Sequence, residues 1–191
     1  MAINCDDGVI SSCYPKFVDR NQLAKEIFKI SHRTGHFVLR SGQTSNEYFD
    51  KYRFESQPQL LQAIANHLSK LVAPSTQALA GLELGGVPLA TALSLATGLP
   101  TLFVRKEAKA YGTCQIAEGL DFKSKRILIV EDVVTTGGQV IESVRELRRQ
   151  GADVLDVVCV ILRNTEAHKF FAAENLRLLP LFTMEELKTH A

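Results

Sequence analysis

The chain has 191 residues, about 1.3 typical domain lengths, which suits one domain with a sizeable core and is too short for a long repeat array. Apolar residues make up 46% and charged residues 23%, near the globular averages, so a disordered chain is not expected. Lys and Arg number 22 against 21 Asp and Glu, so there is no basic excess to suggest nucleic acid or an anionic membrane as partner, and any anion site must be local.

Asp19 is placed to cap a first helix over about 20–31, where Leu23, Ile27 and Ile30 recur at helical spacing. Two extended segments, 36–39 and 47–51, flank a turn at Ser41, Gly42, Gln43 and Thr44. Beyond Ser56 and Pro58, the residues Leu60, Leu61, Ile64, Leu68 and Leu71 draw an apolar stripe along a second helix. The pattern then alternates. Strands are expected at 77–82, 101–104, 126–130, 154–162 and 176–182. Helices are expected at 87–96, after the 126–130 strand, and at about 166–174. The middle one carries Val140, Ile141, Val144 and Leu147 on one face and stops at Gly151. Thr183 and Glu186 form a capping-box pair for a last short helix.

Apolar runs without alternation, separated by helices, are what a parallel sheet covered on both faces requires, so the expected architecture is a one-domain, doubly wound α/β fold. In such sheets ligands sit at the carboxyl ends of the strands, after Leu82, Val104, Val130 and Leu162. The uncharged run 84–104 is as long as a membrane span, but Gly85, Gly86, Pro88, Gly98 and Pro100 break it into loop, helix and strand. Cys5, Cys13, Cys114 and Cys159 make no C-x-x-C pair and no zinc-like spacing with histidine, so free thiols in a reducing compartment are expected. Asp6 and Asp7 stand where a signal peptide would carry basic charge, and a cytoplasmic location follows as the expectation.

The most informative segment follows the 126–130 strand: Glu131, Asp132, Val133, Val134, Thr135, Thr136, Gly137, Gly138 and Gln139 lead into the amphipathic helix. Glycines there let backbone amides turn inward, the threonine hydroxyls add donors, and the helix dipole favours a dianion, so a phosphate belongs in this turn. Glu131 and Asp132 would repel that phosphate, which suits them to accept hydrogen bonds from sugar hydroxyls or to help hold Mg²⁺. Arg105, Lys106 and Lys109 place three cations within five residues of a polar loop, exposed until an anion arrives.

The 131–139 string closely resembles the ribose-phosphate and diphosphate binding motif of the type I phosphoribosyltransferases. Three more segments resemble the orotate phosphoribosyltransferase branch: 105–113 with Glu118 and Gly119, which is similar to its mobile loop; 35–42 through Tyr48 and Phe49; and Arg163 at a strand end. The resemblance implies a mostly parallel sheet with a small N-terminal hood, in a single domain spanning 1–191. Its parts would be an N-terminal helix and hood at 1–55, a core at 56–165 and a C-terminal extension at 166–191.

It implies transfer of a phosphoribosyl group from 5-phosphoribosyl 1-diphosphate to orotate, with Mg²⁺ carried mainly by substrate and Asp132 as the one protein candidate. The donor would be bound by 131–139 with Arg105, Lys106, Lys109 and Tyr111. Catalytic work would fall to Lys109, Lys106, Arg105 and Asp132. Orotate would meet Arg40, Tyr48, Phe49, Thr135 and Arg163. Tyr48 and Phe49 alternate along a strand, so one of them should face ligand and the other the core, and Tyr48 is the expected wall. The same resemblance implies a homodimer whose 105–119 loop closes over the partner's site, with neither nucleic acid nor membrane as partner. Two departures stand out: Tyr111 where many members carry histidine, and Gly85 where some carry a lysine for phosphates. Another base phosphoribosyltransferase, or a sensor of the same fold that binds the donor without reaction, are the alternatives.

Overall fold

The computed structural model describes residues 19–38, 42–106 and 116–189. In chain order the elements are α1 (Arg20–Ser31), β1 (His32–Val38), β2 (Thr44–Phe49), α2 (Tyr52–Glu55), α3 (Pro58–Leu68), a 3-10 turn (Ser69–Leu71), β3 (Ala78–Leu82), α4 (Gly86–Thr97), β4 (Thr101–Val104), β5 (Ala117–Glu118), β6 (Arg126–Val134), α5 (Gly138–Arg149), β7 (Asp153–Leu162), α6 (Ala167–Ala173), β8 (Arg177–Thr183) and α7 (Met184–Thr189). The strands form an antiparallel β1–β2 pair and a six-stranded sheet ordered β5-β4-β3-β6-β7-β8. All neighbours in the larger sheet run parallel except β5, which is antiparallel to β4.

The chain's unalternating apolar runs are explained by burial on both sides. Ala78, Ala80, Ile127, Ile129, Val157 and Cys159 pack on one face under Val144 and Leu147 of α5 and Phe171 of α6. Leu79, Leu128, Val130 and Val158 pack on the other under α1, α3 and α4, through Ile27, Ile64 and Leu93. Each fully buried large aliphatic side chain contributes about 1.5–3 kcal/mol, so these two layers dominate the stability of the sheet. Cys159 is a free, buried thiol whose pKa burial raises.

The chain leaves β3 for β4 on one side and later returns to lay β6 on the other. The strand order therefore reverses between β3 and β6, and the crevice beyond their carboxyl ends is the switch point where ligands bind in open α/β sheets.

Local signals set many boundaries. Asp19 caps α1, accepting from the Gln22 amide at 3.4 Å. Gly98 takes the left-handed conformation that ends α4. Thr183 and Glu186 form the reciprocal capping box of α7. The uncharged 84–104 run is divided between α4 and β4, and among the described residues no helix is long and apolar enough to cross a membrane.

Differences are also clear. β6 does not end at Val130 but continues to Val134, because Glu131, Val133 and Val134 keep their register with Cys159, Ile161 and Leu162 of β7. β1 begins at His32, directly from α1, and β2 spans Thr44–Phe49. α2, β5 and the 3-10 turn carry too few residues to show a period and are not legible in the sequence.

Candidate functional site

The turn between β6 and α5 lies at one side of the switch crevice. Thr135, Thr136, Gly138 and Gln139 are exposed, whereas Val134 is buried in the sheet. Among the described residues, the amides of Thr135, Thr136 and Gly137 donate to no backbone carbonyl. Gly137 has φ +81°, and a Cβ there would overlap the Phe171 ring, so only glycine lets the chain swing back over α6. Free amides at the head of a twelve-residue helix make a seat for an anion.

A narrow cleft opens beside this turn. Glu83, Arg105, Lys106, Glu131, Gln139 and Ser143 line it. The Lys106 amide donates to Glu83 Oε2 at 3.2 Å, and Arg105 Nε lies 3.6 Å from Glu118 Oε1. The fold thus brings together four residues singled out from the sequence: Arg105, Lys106, Glu131 and Gln139. Lys109, Tyr111 and Cys114 lie outside the described residues, as do Arg40, Cys5 and Cys13. Glu131 Oε2 is buried and without a hydrogen-bond partner. Burial, then the charge of Asp132, pushes the Glu131 pKa well above the usual carboxylate range. A carboxyl that keeps its proton is a donor, and does not repel a phosphate as an ionised one would.

Asp132 points elsewhere. It is fully buried, and its Oδ2 lies 2.5 Å from Lys51 Nζ while Oδ1 accepts from the Val133 amide at 2.5 Å. The same Oδ2 fills the space a Cβ on Gly85 would take, and Glu55 Oε1 borders that space. Glu55 is buried and its Oε1 has no partner. Its pKa is pushed up to about 9, by burial first and then by its hydrogen bond to Asp132 and the Asp132 charge. At neutral pH Glu55 therefore keeps its proton beside Asp132, whose partner is Lys51.

A second cleft, of about 240 Å³, lies on the hood side and is lined by Phe28, His32, Tyr48, Phe49, Arg163 and Lys188 among others. Arg163 sits immediately after β7, its amide donating to Val134 O at 2.8 Å and its guanidinium 6.0 Å from the centre of the Phe49 ring. Tyr48 is exposed and Phe49 buried, as alternation along β2 requires, yet both border this cleft. His32 stacks on Phe28 at 4.7 Å and pairs with Glu47 at 2.9 Å. Apolar ring faces beside a guanidinium suit a planar anion.

The family model of the phosphoribosyl transferase domain matches residues 52–169. The chain belongs to the phosphoribosyltransferase family. An orotate phosphoribosyltransferase of Nocardioides sp. (strain ATCC BAA-499 / JS614) is 49% identical over 165 residues, covering 86% of this chain and 92% of the relative. The Mycobacterium tuberculosis orotate phosphoribosyltransferase in complex with Fe(III) dicitrate matches with a TM-score of 0.80 at 32% identity, over 89% of this chain and 99% of that one. The structure of the same enzyme with 5-phospho-alpha-D-ribosyl 1-diphosphate gives a TM-score of 0.76 at 29% identity, over 90% and 99% of the two chains.

For a phosphoribosyltransferase of this kind, the residues that sequence reasoning overlooked are Lys51, Glu55 and Glu83 near the switch crevice, and Phe28, His32, Glu47, Met184 and Lys188 around the second cleft. Lys51 and Glu55 lie in a segment without periodicity, and their partner Asp132 is distant in the chain. The one available signal was a pair of charged residues on either side of Phe54; Phe54 and Glu55 are buried, while Tyr52 and Arg53 are exposed.

Proposed function

We infer that the chain joins orotate to C1′ of 5-phosphoribosyl 1-diphosphate, giving orotidine 5′-monophosphate and diphosphate, a step of pyrimidine nucleotide synthesis. One observation carries the reading: a strand end, a turn of free amides and a helix N-terminus meet Arg105, Lys106 and Glu131 at the β3–β6 switch point.

The amides and hydroxyls of Thr135–Gln139 receive the 5′-phosphate. Glu131 meets the ribose hydroxyls, and Asp132 supports it from below. Arg163, with Tyr48 and Phe49, holds the orotate ring and carboxylate in the second cleft, and Arg40 and Thr135 would be further orotate contacts. As N1 of orotate forms its bond to C1′, the C1′–O bond breaks and its electron pair leaves with the diphosphate. The N1 proton passes to solvent, and the anomeric carbon inverts. Positive charge grows on the ribose and negative charge on the leaving group, so the protein's task is positioning and charge stabilisation with no covalent nucleophile. Arg105, Lys106, Lys109 and Tyr111 would close on the diphosphate, and closure would exclude water.

Asp132 does not fit as a ligand for Mg²⁺, since Lys51 and the Val133 amide engage both its oxygens. Mg²⁺ would enter with the diphosphate and neutralise its charge. The 105–119 loop would act on the partner's site in a homodimer, with 1–55 as the hood over a 56–165 core and 166–191 as a C-terminal extension. A cytoplasmic location belongs to the same reading.

The direct test is a coupled assay with orotate, the donor and Mg²⁺, in which diphosphate release must depend on all three. Arg163→Ala should erase the preference for orotate over uracil. A variant that still prefers orotate would remove Arg163 from the carboxylate.

A further inference from the structure

The turn joining β3 to α4, residues 83–86, forms the other wall of the switch crevice. It carries an acid, Glu83, and no cation. Among the described residues, the amides of Leu84 and Gly85 donate to no backbone carbonyl. Glu83 and Asp132 border this turn, so a polyanion arriving here needs positive charge from another segment. Unlike the Asp132 carboxylate it touches, the Lys51 side chain is partly open, at 32% exposure against 0%. Asp132 Oδ2 in turn occupies the space beside Gly85. The ammonium thus pairs with the same Asp132 oxygen that borders Gly85, where the unpartnered Oε1 of Glu55 also lies. Burial opposes the charge on Lys51, but its hydrogen bond to Asp132 and the Asp132 charge outweigh that and hold its pKa above the usual lysine value.

We propose that Lys51 is a residue of the donor site: from the segment after β2 it fixes Asp132 and supplies, beside the Gly85–Gly86 turn, positive charge for the phosphoryl oxygens of the leaving diphosphate. This deepens the phosphoribosyl reading and rests on it. A lysine between β2 and α2 thus does what no side chain at Gly85 can do, because Asp132 fills the space that such a side chain would need.

The test compares the full-length protein with Lys51→Gln, Lys51→Arg and the double variant Lys51→Gln/Asp132→Asn. Calorimetry reads binding of inorganic diphosphate in the presence of Mg²⁺, and steady-state kinetics reads the KM for donor and for orotate. Loss of a charge-assisted contact to phosphate should weaken diphosphate about tenfold or more in both Gln variants, and in Lys51→Gln the donor KM should rise similarly while the orotate KM stays within about twofold. Lys51→Arg should keep diphosphate affinity within about threefold of the unaltered protein. The double variant is decisive if Lys51→Gln alone fails to fold, because it removes both partners of the ion pair and leaves no unpaired buried carboxylate. Diphosphate affinity of the double variant within about twofold of the unaltered protein would mean that Lys51 only neutralises Asp132, and would overturn the proposal. Arg performing no better than Gln would overturn it too. Failure of the underlying reading looks different: the unaltered protein would release no diphosphate from donor and orotate.

Discussion

Glu55 holds a proton in the folded protein that the unfolded chain gives up above about pH 4.5. Its folded pKa is raised, to about 9, so stability declines as pH climbs from about 4.5 to about 9 and then levels, at up to about 1.4 kcal/mol per pH unit. Glu55→Gln should flatten that decline and leave the variant more stable than the parent at pH 8–9, by about 1 kcal/mol or more. Denaturant titrations at several pH values would check this, and parallel curves would show that Glu55 ionises freely. The two glycines at the head of α5 separate backbone geometry from ligand space. Gly137→Ala forces a positive φ and a clash with Phe171, so a loss of about 2–4 kcal/mol is expected in chemical denaturation. A Cβ on Gly138 meets nothing within 4 Å. Gly138→Ala should therefore leave the denaturation midpoint nearly unchanged while weakening donor binding, since the added methyl enters the proposed phosphate seat. The Gly pair was legible in the sequence as a turn. The clash that makes Gly137 obligatory was not, because Phe171 is brought there only by packing of α6.

At the scale of elements, chemistry local to the chain was the readable part. α1 and β4 have the bounds their caps and Gly or Pro punctuation predict. The Thr183–Glu186 box is fully formed, with the Thr183 amide 2.7 Å from Glu186 Oε2 and the Glu186 amide 3.1 Å from Thr183 Oγ1. Thr183→Ala should cost about 1 kcal/mol in thermal or denaturant unfolding. Met184 and Lys188 of α7 line the second cleft, so the same change should raise the KM for orotate more than that for the donor, and equal shifts would detach α7 from the orotate side. β6 shows the limit of local reading. Two acids after an apolar strand look like its end, yet β7 supplies partners as far as Leu162 and the strand continues. Ladder pairing, which no window of sequence contains, decided where β6 stops.

For the whole molecule, strand order places the chemistry. Because β4 and β6 flank β3, the ends of all three strands meet at one crevice, where Arg105 and Lys106 after β4 share a cleft with Glu83 after β3 and with Glu131 and Gln139 at the end of β6. If the 105–119 loop serves the partner's site, Lys109→Ala and Asp132→Asn should each be nearly inactive alone. Mixed and allowed to exchange subunits, they should regain activity, because a hybrid dimer holds one site with both residues intact. A mixture no more active than the sum of its parts would confine the loop to its own subunit. The alternation of apolar runs with helical stripes, the glycine-threonine turn after two acids, and the cationic loop are written in the chain itself. They depend on neighbours a few residues apart, and they suffice for the fold class and the phosphate-seating turn. The pairing of Lys51 with Asp132, the protonated Glu55 beneath Gly85 and the meeting of Arg163 with Phe49 join distant segments. Only closure of the sheet and the docking of the β1–β2 pair bring those groups within reach, since burial and Coulomb attraction act through space and leave no periodic trace along the sequence.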